Sequence, residues 1–117
     1  RGAPDLVLWL KKMRSKSRIL MSVCTGAFKF ADAGLFDGKS ATTHHDFFDA
    51  FVKRFPNVTL VRDKRFVQAD SVVYSAGGLT SGIDLALHVV SLYFGAEAAE
   101  RTAAYMEYTG TRWRESS

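Results

Sequence analysis

The sequence predicts an α/β layered fold, a sheet with helices on both faces. Three observations carry that prediction. Short apolar or β-branched runs alternate along the chain with segments whose apolar residues recur at helical spacing. Residues 19–23 form one such run, break at Cys24-Thr25-Gly26, and resume with Ala27, Phe28, Phe30 and Ala31 on a helical period, the order of a buried parallel strand, a tight turn and a helix. The whole chain is 117 residues, enough for one domain with a single core.

Taken in order, residues 1–4 read as a loop, with Pro4 placed to start a helix and Asp5 adding negative charge to its first turn. Leu6, Leu8, Trp9, Leu10 and Met13 give that helix an apolar face. The strand and helix around Cys24 follow. Gly34 fits a helix C-cap, with Leu35 available to fold back on the last turn. Asp37-Gly38 marks a turn, and the β-branched stretch 40–43 reads as a strand ending at His44-His45-Asp46. Asp46 is then the expected N-cap of a helix carrying Phe47, Phe48, Phe51, Val52 and Phe55, an aromatic set suited to core or interface packing. Pro56-Asn57 ends it.

Residues 58–61 and 65–69 read as two strands around Arg62-Asp63-Lys64, a hairpin or a ragged edge. Asp70-Ser71 is a turn before the strand 72–75, and Ala76-Gly77-Gly78 is a glycine-rich exit. A long helix from Thr80 or Ser81 is apolar on most of its circumference and is expected to be central; Gly95 stops it. Residues 96–108 form a last amphipathic helix, and 109–117 a polar tail.

Composition narrows the function classes. The single cysteine cannot form an internal disulfide, no apolar run reaches membrane-spanning length, and no leader is visible, so a cytoplasmic protein with no membrane partner is expected. The formal charge of +4 gathers partly at Lys11, Lys12, Arg14, Lys16 and Arg18, a solvated helix end. No basic stripe interleaved with stacking aromatics accompanies it, so no nucleic-acid partner is expected.

Right-handed crossovers place the strand ends, and with them Cys24, His44 and Gly77, along one edge of the sheet, where open α/β sheets bind ligands. Cys24 at a strand-to-helix corner meets N–H groups that favour a thiolate, so it is read as a nucleophile on an elbow; a buried structural cysteine is the alternative. Gly26 lets a ligand approach the backbone. Adjacent strand residues point to opposite faces, so His44 and His45 are not expected to reach one site, and no metal site is expected. His88 reads as a hydrogen-bonded core or interface residue, Asp84 as a structural one, and Asp32 as too far along its helix to serve Cys24.

Three ordered blocks then carry a resemblance: Ser22-Val23-Cys24-Thr25-Gly26-Ala27-Phe28, Gly34 through His44, and Ser75-Ala76-Gly77-Gly78-Leu79-Thr80-Ser81-Gly82-Ile83-Asp84. Together they resemble the DJ-1/ThiJ/PfpI superfamily over roughly residues 4–108. The Cys-Thr-Gly form is most similar to isocyanide hydratases and to the sensor domains of AraC-type regulators. The resemblance implies a flavodoxin-like three-layer sandwich with a mostly parallel sheet, of the class I glutamine amidotransferase-like group, usually a homodimer.

It also implies a catalytic cysteine at Cys24, working with an acidic residue from a first strand that should precede Arg1. The chain, 1–117, is thus expected to be the C-terminal part of a single domain, completed by a missing N-terminal segment or a companion chain. The implied activity is hydration of a small-molecule isocyanide to an N-substituted formamide, a lyase reaction without cofactor, with Thr25, Gly26, His44, Gly77 and Gly78 around the oxyanion or substrate. A ligand sensor of an AraC-type regulator is the first alternative, though no helix-turn-helix follows residue 108. A DJ-1-like glyoxalase, protease or stress-response protein is the second, and the residue after Cys24, threonine where the protease branch has histidine, disfavours the protease.

Overall fold

A computed structural model describes residues 3–115. The elements run α1 (Ala3–Lys16), β1 (Leu20–Val23), α2 (Gly26–Asp32), β2 (Ser40–Ala41), a 3-10 turn (His45–Phe47), α3 (Phe48–Arg54), β3 (Thr59–Leu60), β4 (Phe66–Gln68), β5 (Val73–Ala76), α4 (Leu79–Phe94), α5 (Ala96–Tyr105) and a second 3-10 turn (Arg112–Arg114). The sheet orders as β1-β5-β4, with β1 parallel and β4 antiparallel to β5, while β2 and β3 form a separate parallel pair. Two of the three pairings are parallel, as the α/β reading requires.

Side chains alternate along β5 and divide the core. Val73 joins Leu10 of α1, Ala27, Phe30 and Ala31 of α2, and Phe51 of α3 on one face. Tyr74 and Ala76 join Phe66 and Leu85 of α4 on the other. Helices therefore cover both faces. A third cluster, Leu87, Ala99, Ala103 and Trp113, fixes α5 and the end of the chain against α4.

Cap chemistry explains the boundaries that the sequence foretold. Gly34 takes φ +76°, its N–H donates to Ala31 O at 2.9 Å and that of Leu35 to Phe30 O at 3.1 Å, the paired bonds of a Schellman ending with Leu35 buried behind it. Gly95, at φ +93°, separates α4 from α5.

Several expectations need correction. The helical pattern begins at Ala3, inside the stretch read as a loop; residues 1–2 lie outside the described residues, as do 116–117 of the tail. The strand at 40–43 stops at Ala41, because the N–H of Thr42 is taken by the Ser75 hydroxyl at 2.9 Å instead of a ladder carbonyl. Residues 58–61 and 65–69 do not pair with each other. The N–H groups of Thr59 and Val61 go to Lys39 O and Ala41 O, whereas Ala69 N–H reaches Val73 O at 2.8 Å and closes a β4–β5 hairpin over Asp70-Ser71.

Asp46 is not the N-cap of the phenylalanine helix. His44 holds an extended backbone and its Nδ1 accepts the Asp46 N–H at 3.1 Å, so an imidazole caps the 3-10 turn that precedes α3. The tail is not merely polar: Trp113 is buried, donates Nε1–H to Gly110 O, and packs under α4. Nor is α4 enclosed, since Leu79, Leu92, Tyr93 and Phe94 are exposed. Met21 and Val23 are exposed too, on the strand whose second edge has no partner among the described residues.

Candidate active site

The parallel register sets Val23 beside Ala76, which brings the residues after them, Cys24 and Gly77, into contact. Cys24 N–H donates to Gly77 O at 2.7 Å and, more weakly, to Ala76 O at 3.2 Å. Its own carbonyl accepts the Thr43 hydroxyl at 2.9 Å. Both peptide groups are thereby held, and what they hold is unusual: Cys24 has φ +59°, a left-handed backbone shared among the described non-glycine residues only with Glu107. That conformation costs an L-residue about 1–2 kcal/mol, and such positions persist where surrounding bonds over-determine them. The bend lifts the side chain out of the sheet to a half-buried position at the head of α2.

The predicted site residues converge here. Thr25 follows in helical conformation, exposed, its hydroxyl free of any capping bond. Gly26 opens α2, and a Cβ there would meet Ser22 Cβ only at 3.9 Å, so the elbow does not demand glycine on steric grounds. Gly78 lies against His44, whose Cδ2 would be 3.7 Å from a Cβ at that position. His44 is half buried and stands edge-on to Phe47 at 6.0 Å. With Nδ1 accepting from Asp46, the neutral ring carries its proton on Nε2. Asp32 is turned away, paired with Arg54 at 2.9 Å.

His44 and His45 are not on opposite faces. Their rings stack at 4.5 Å, because the strand has ended before them and a 3-10 turn carries them. Their nitrogens and the Asp46 carboxylate lie within 4.8 Å of one another. Three ligands on an open surface fall one short of a closed tetrahedral set, and His44 Nδ1 is already engaged.

Beside Thr25 opens a cavity of about 390 Å³ lined by Thr25, Phe28, Phe47 and Arg54. Phe28 is its floor, edge-on to Phe47, Phe51 and Phe55 at 6.4, 5.2 and 6.0 Å. Its only charged lining residue, Arg54, is neutralised by Asp32. The walls are thus apolar, apt for an uncharged organic substituent. Sequence reasoning read the phenylalanines as packing alone and missed this wall; the exposed Phe47 is what separates the two roles, and exposure has no signature in a run of phenylalanines. A larger hollow, about 470 Å³ between Arg18, Ile19, Tyr93 and Phe94, lies at the opposite end of β1 from Cys24.

No helix among the described residues is long and apolar enough to cross a membrane. Residues 1–92 match the profile of the DJ-1/PfpI family. The chain is 32% identical over 100 residues to isonitrile hydratase of Pseudomonas putida, covering 86% of this chain and 42% of that protein. It is 34% identical over 96 residues to the HTH-type transcriptional regulator CdhR of Pseudomonas aeruginosa, covering 82% and 28%. Among solved structures, a ThiJ/PfpI family protein from Pseudomonas syringae superposes with a TM-score of 0.75 at 25% identity, over 90% of this chain and 42% of that one. The chain therefore spans less than half the length of each of these three relatives.

Proposed function

Because this chain belongs to the DJ-1/PfpI family, we propose that it forms the cysteine half of an isocyanide hydratase-like active site, with Cys24 as nucleophile. The observation that carries the reading is the left-handed Cys24, held by Gly77 O on one side and Thr43 on the other, one residue before Thr25, which lines an apolar cavity. A strained, fixed and half-open cysteine is the arrangement a nucleophile needs, whereas a packing cysteine gains nothing from it.

In the proposed reaction the Cys24 thiolate attacks the terminal isocyanide carbon. An acid protonates that carbon, giving a thioimidate. Water adds to the same carbon, the C–S bond breaks, and the thiolate leaves as the N-substituted formamide forms. The apolar cavity takes the organic substituent, while the backbone at Thr25 and Gly26 and the Thr25 hydroxyl orient substrate or water. His44, with Nε2–H free to donate, and the Gly77-Gly78 turn line the far side. The carbon's proton must come from a carboxylic acid that a preceding segment or companion chain supplies, and the active protein is a homodimer working in a reducing, cytoplasmic setting.

Incubation of the full-length protein with an alkyl isocyanide should yield the formamide, and Cys24→Ala should abolish it. Absence of product, or product that survives the substitution, defeats the reading. A second reading is favoured by the regulator relative: the same cavity senses a ligand without turnover. It predicts saturable binding that persists in Cys24→Ala with no product. Methylglyoxal turnover in place of isocyanide turnover would assign the elbow to a DJ-1-like glyoxalase instead.

A further inference from the structure

Against the Gly77-Gly78 turn lies a second, polar hollow of about 130 Å³. Its lining includes Arg62, Lys64, Arg65 and His45 and no carboxylate. Arg65 is oriented by Asp84, which accepts from Nε at 2.5 Å, and by the Thr80 hydroxyl at 2.9 Å. Arg62 lies over the Phe48 ring at 5.3 Å. The Arg65 charge is balanced by Asp84 behind the wall, and Arg62 adds a further cation to the wall itself.

Two hydroxyls face this hollow from buried positions. Thr42 is 1% and Ser81 7% exposed, both line it, and neither hydroxyl has a hydrogen-bond partner among the described residues. The sealed, unpartnered side-chain oxygens among the described residues are Ser22 Oγ and Asp84 Oδ1, so the Thr42 and Ser81 hydroxyls are open to the hollow, where a ligand oxygen can meet them. The start of α4 completes the set. This helix of 16 residues is capped by Gly78 without a side-chain bond and has no acidic residue in its first turn. Its first ladder bond, Gly82 N–H to Gly78 O, leaves the earlier N–H groups pointing out of the helix end. Gly77 keeps the hollow open, since a Cβ there would come within 3.6 Å of Ser81 Oγ.

We propose that this hollow binds a small oxyanion, a phosphate or the carboxylate of a small ligand, through Arg62, the Thr42 and Ser81 hydroxyls and the α4 N–H groups. The hollow adjoins the Cys24 corner without including the sulfur: Thr43 and Gly77, which hold the Cys24 backbone, line it together with Gly78, and Cys24 does not. It also gives a purpose to the placement of Arg62, which lines the hollow while lying over the ring of Phe48, another of its lining residues.

The test is titration of the full-length protein with inorganic phosphate, and with acetate in parallel, at constant ionic strength, following the Thr80 and Ser81 amide resonances. Saturable shifts are expected, with affinity falling about tenfold in Ser81→Ala and in Arg62→Gln, as loss of one charge-assisted hydrogen bond implies. Cys24→Ala should leave the affinity unchanged. Phosphate-only binding identifies a phosphate site, and acetate binding of equal strength a carboxylate site. Shifts that fail to saturate, or that ignore Ser81→Ala and Thr42→Val, overturn the proposal. Because Ser81→Ala and Thr42→Val each change one or two atoms, the outcome does not depend on the arginine variant folding.

Discussion

The amide of Cys24 donates to the carbonyl of Gly77 at 2.7 Å. That bond locks the ends of β1 and β5 together at the corner where the cysteine turns left-handed, and it ties the Cys24 backbone to the glycine turn that heads α4. Backbone strain at Cys24 should therefore be measurable apart from its sulfur chemistry.

Cys24→Gly and Cys24→Ala both remove the sulfur, but only glycine is at ease at φ +59°. The glycine variant gains about 1–2 kcal/mol of relief and loses about 0.5–1 kcal/mol to the larger freedom of its unfolded chain. Urea unfolding should place it level with or up to about 1.5 kcal/mol above the alanine variant. An alanine variant clearly more stable than the glycine one would show that the bend holds no strain.

Gly82 makes the second close approach. A Cβ on it would sit 2.9 Å from Val23 Cγ1 and 3.3 Å from Cγ2, so α4 crosses β1 with room for hydrogen only. Val23 is β-branched and precedes Cys24, and cannot yield without shifting the strand. Gly82→Ala should cost about 1–3 kcal/mol by overpacking and lower Cys24 reactivity toward iodoacetamide. Adding Val23→Ala should recover most of both, a coupling that a double-mutant cycle reads directly.

These two contacts show what was legible in the sequence. The Cys-Thr-Gly and Gly-x-x-x-Gly-Ile-Asp blocks were readable because glycine and cysteine at a corner carry conformational meaning of their own, and the crossover rule then brought Cys24, Gly77 and His44 to one edge. What was not legible depended on partners distant in sequence. Thr42 loses its ladder bond to Ser75, 33 residues on. His44 displaces Asp46 as a cap because its ring, rather than a carboxylate, reaches the amide, and that alone carries His45 onto the same side. Trp113 looked like part of a polar tail until the α4–α5 groove received it. The cavity beside Thr25 and the cationic hollow under Gly77 arise from which side chains a packed fold leaves uncovered, and periodicity is silent on that.

Asp84 illustrates a buried charge held by a few bonds. It is fully buried, accepts from Arg65 Nε and from the Tyr108 hydroxyl at 2.9 Å, and leaves Oδ1 without a partner among the described residues. Burial, and then the Asp84 hydrogen bond, push the Tyr108 phenol up, so it remains a donor. Arg65→Ala strands the carboxylate and should cost about 3–5 kcal/mol, most of it recovered when Asp84→Asn is added, whereas Tyr108→Phe should cost only about 1–2 kcal/mol. Equal losses for Arg65→Ala with and without Asp84→Asn would mean that the pair is not coupled.

Asp70 is a carboxylate whose charge the fold holds in place. Burial favours its protonated form, but the hydrogen bond from Lys39 Nζ, at 2.6 Å, and the amides of Val72 and Val73, both at 2.8 Å onto Oδ1, outweigh it and hold the carboxyl well below the usual carboxylate range. Arg14 adds a contact at 3.3 Å, so one side chain ties α1, the turn before β2 and the head of β5. Because the folded value is depressed, the stabilisation is fully present above the unfolded value of about 4, shrinks as pH falls below it, and disappears once the folded carboxyl itself takes a proton. Asp70→Asn keeps an oxygen for the two amides but loses the charge. It should lower stability by about 1.5–3 kcal/mol at pH 7. Urea midpoints measured from pH 7 to pH 2 should show that gap constant down to about pH 4–5 and narrowing below it. A gap that stays level through pH 3 would mean that the carboxylate's charge contributes nothing, and that the turn is held by the two amide bonds alone.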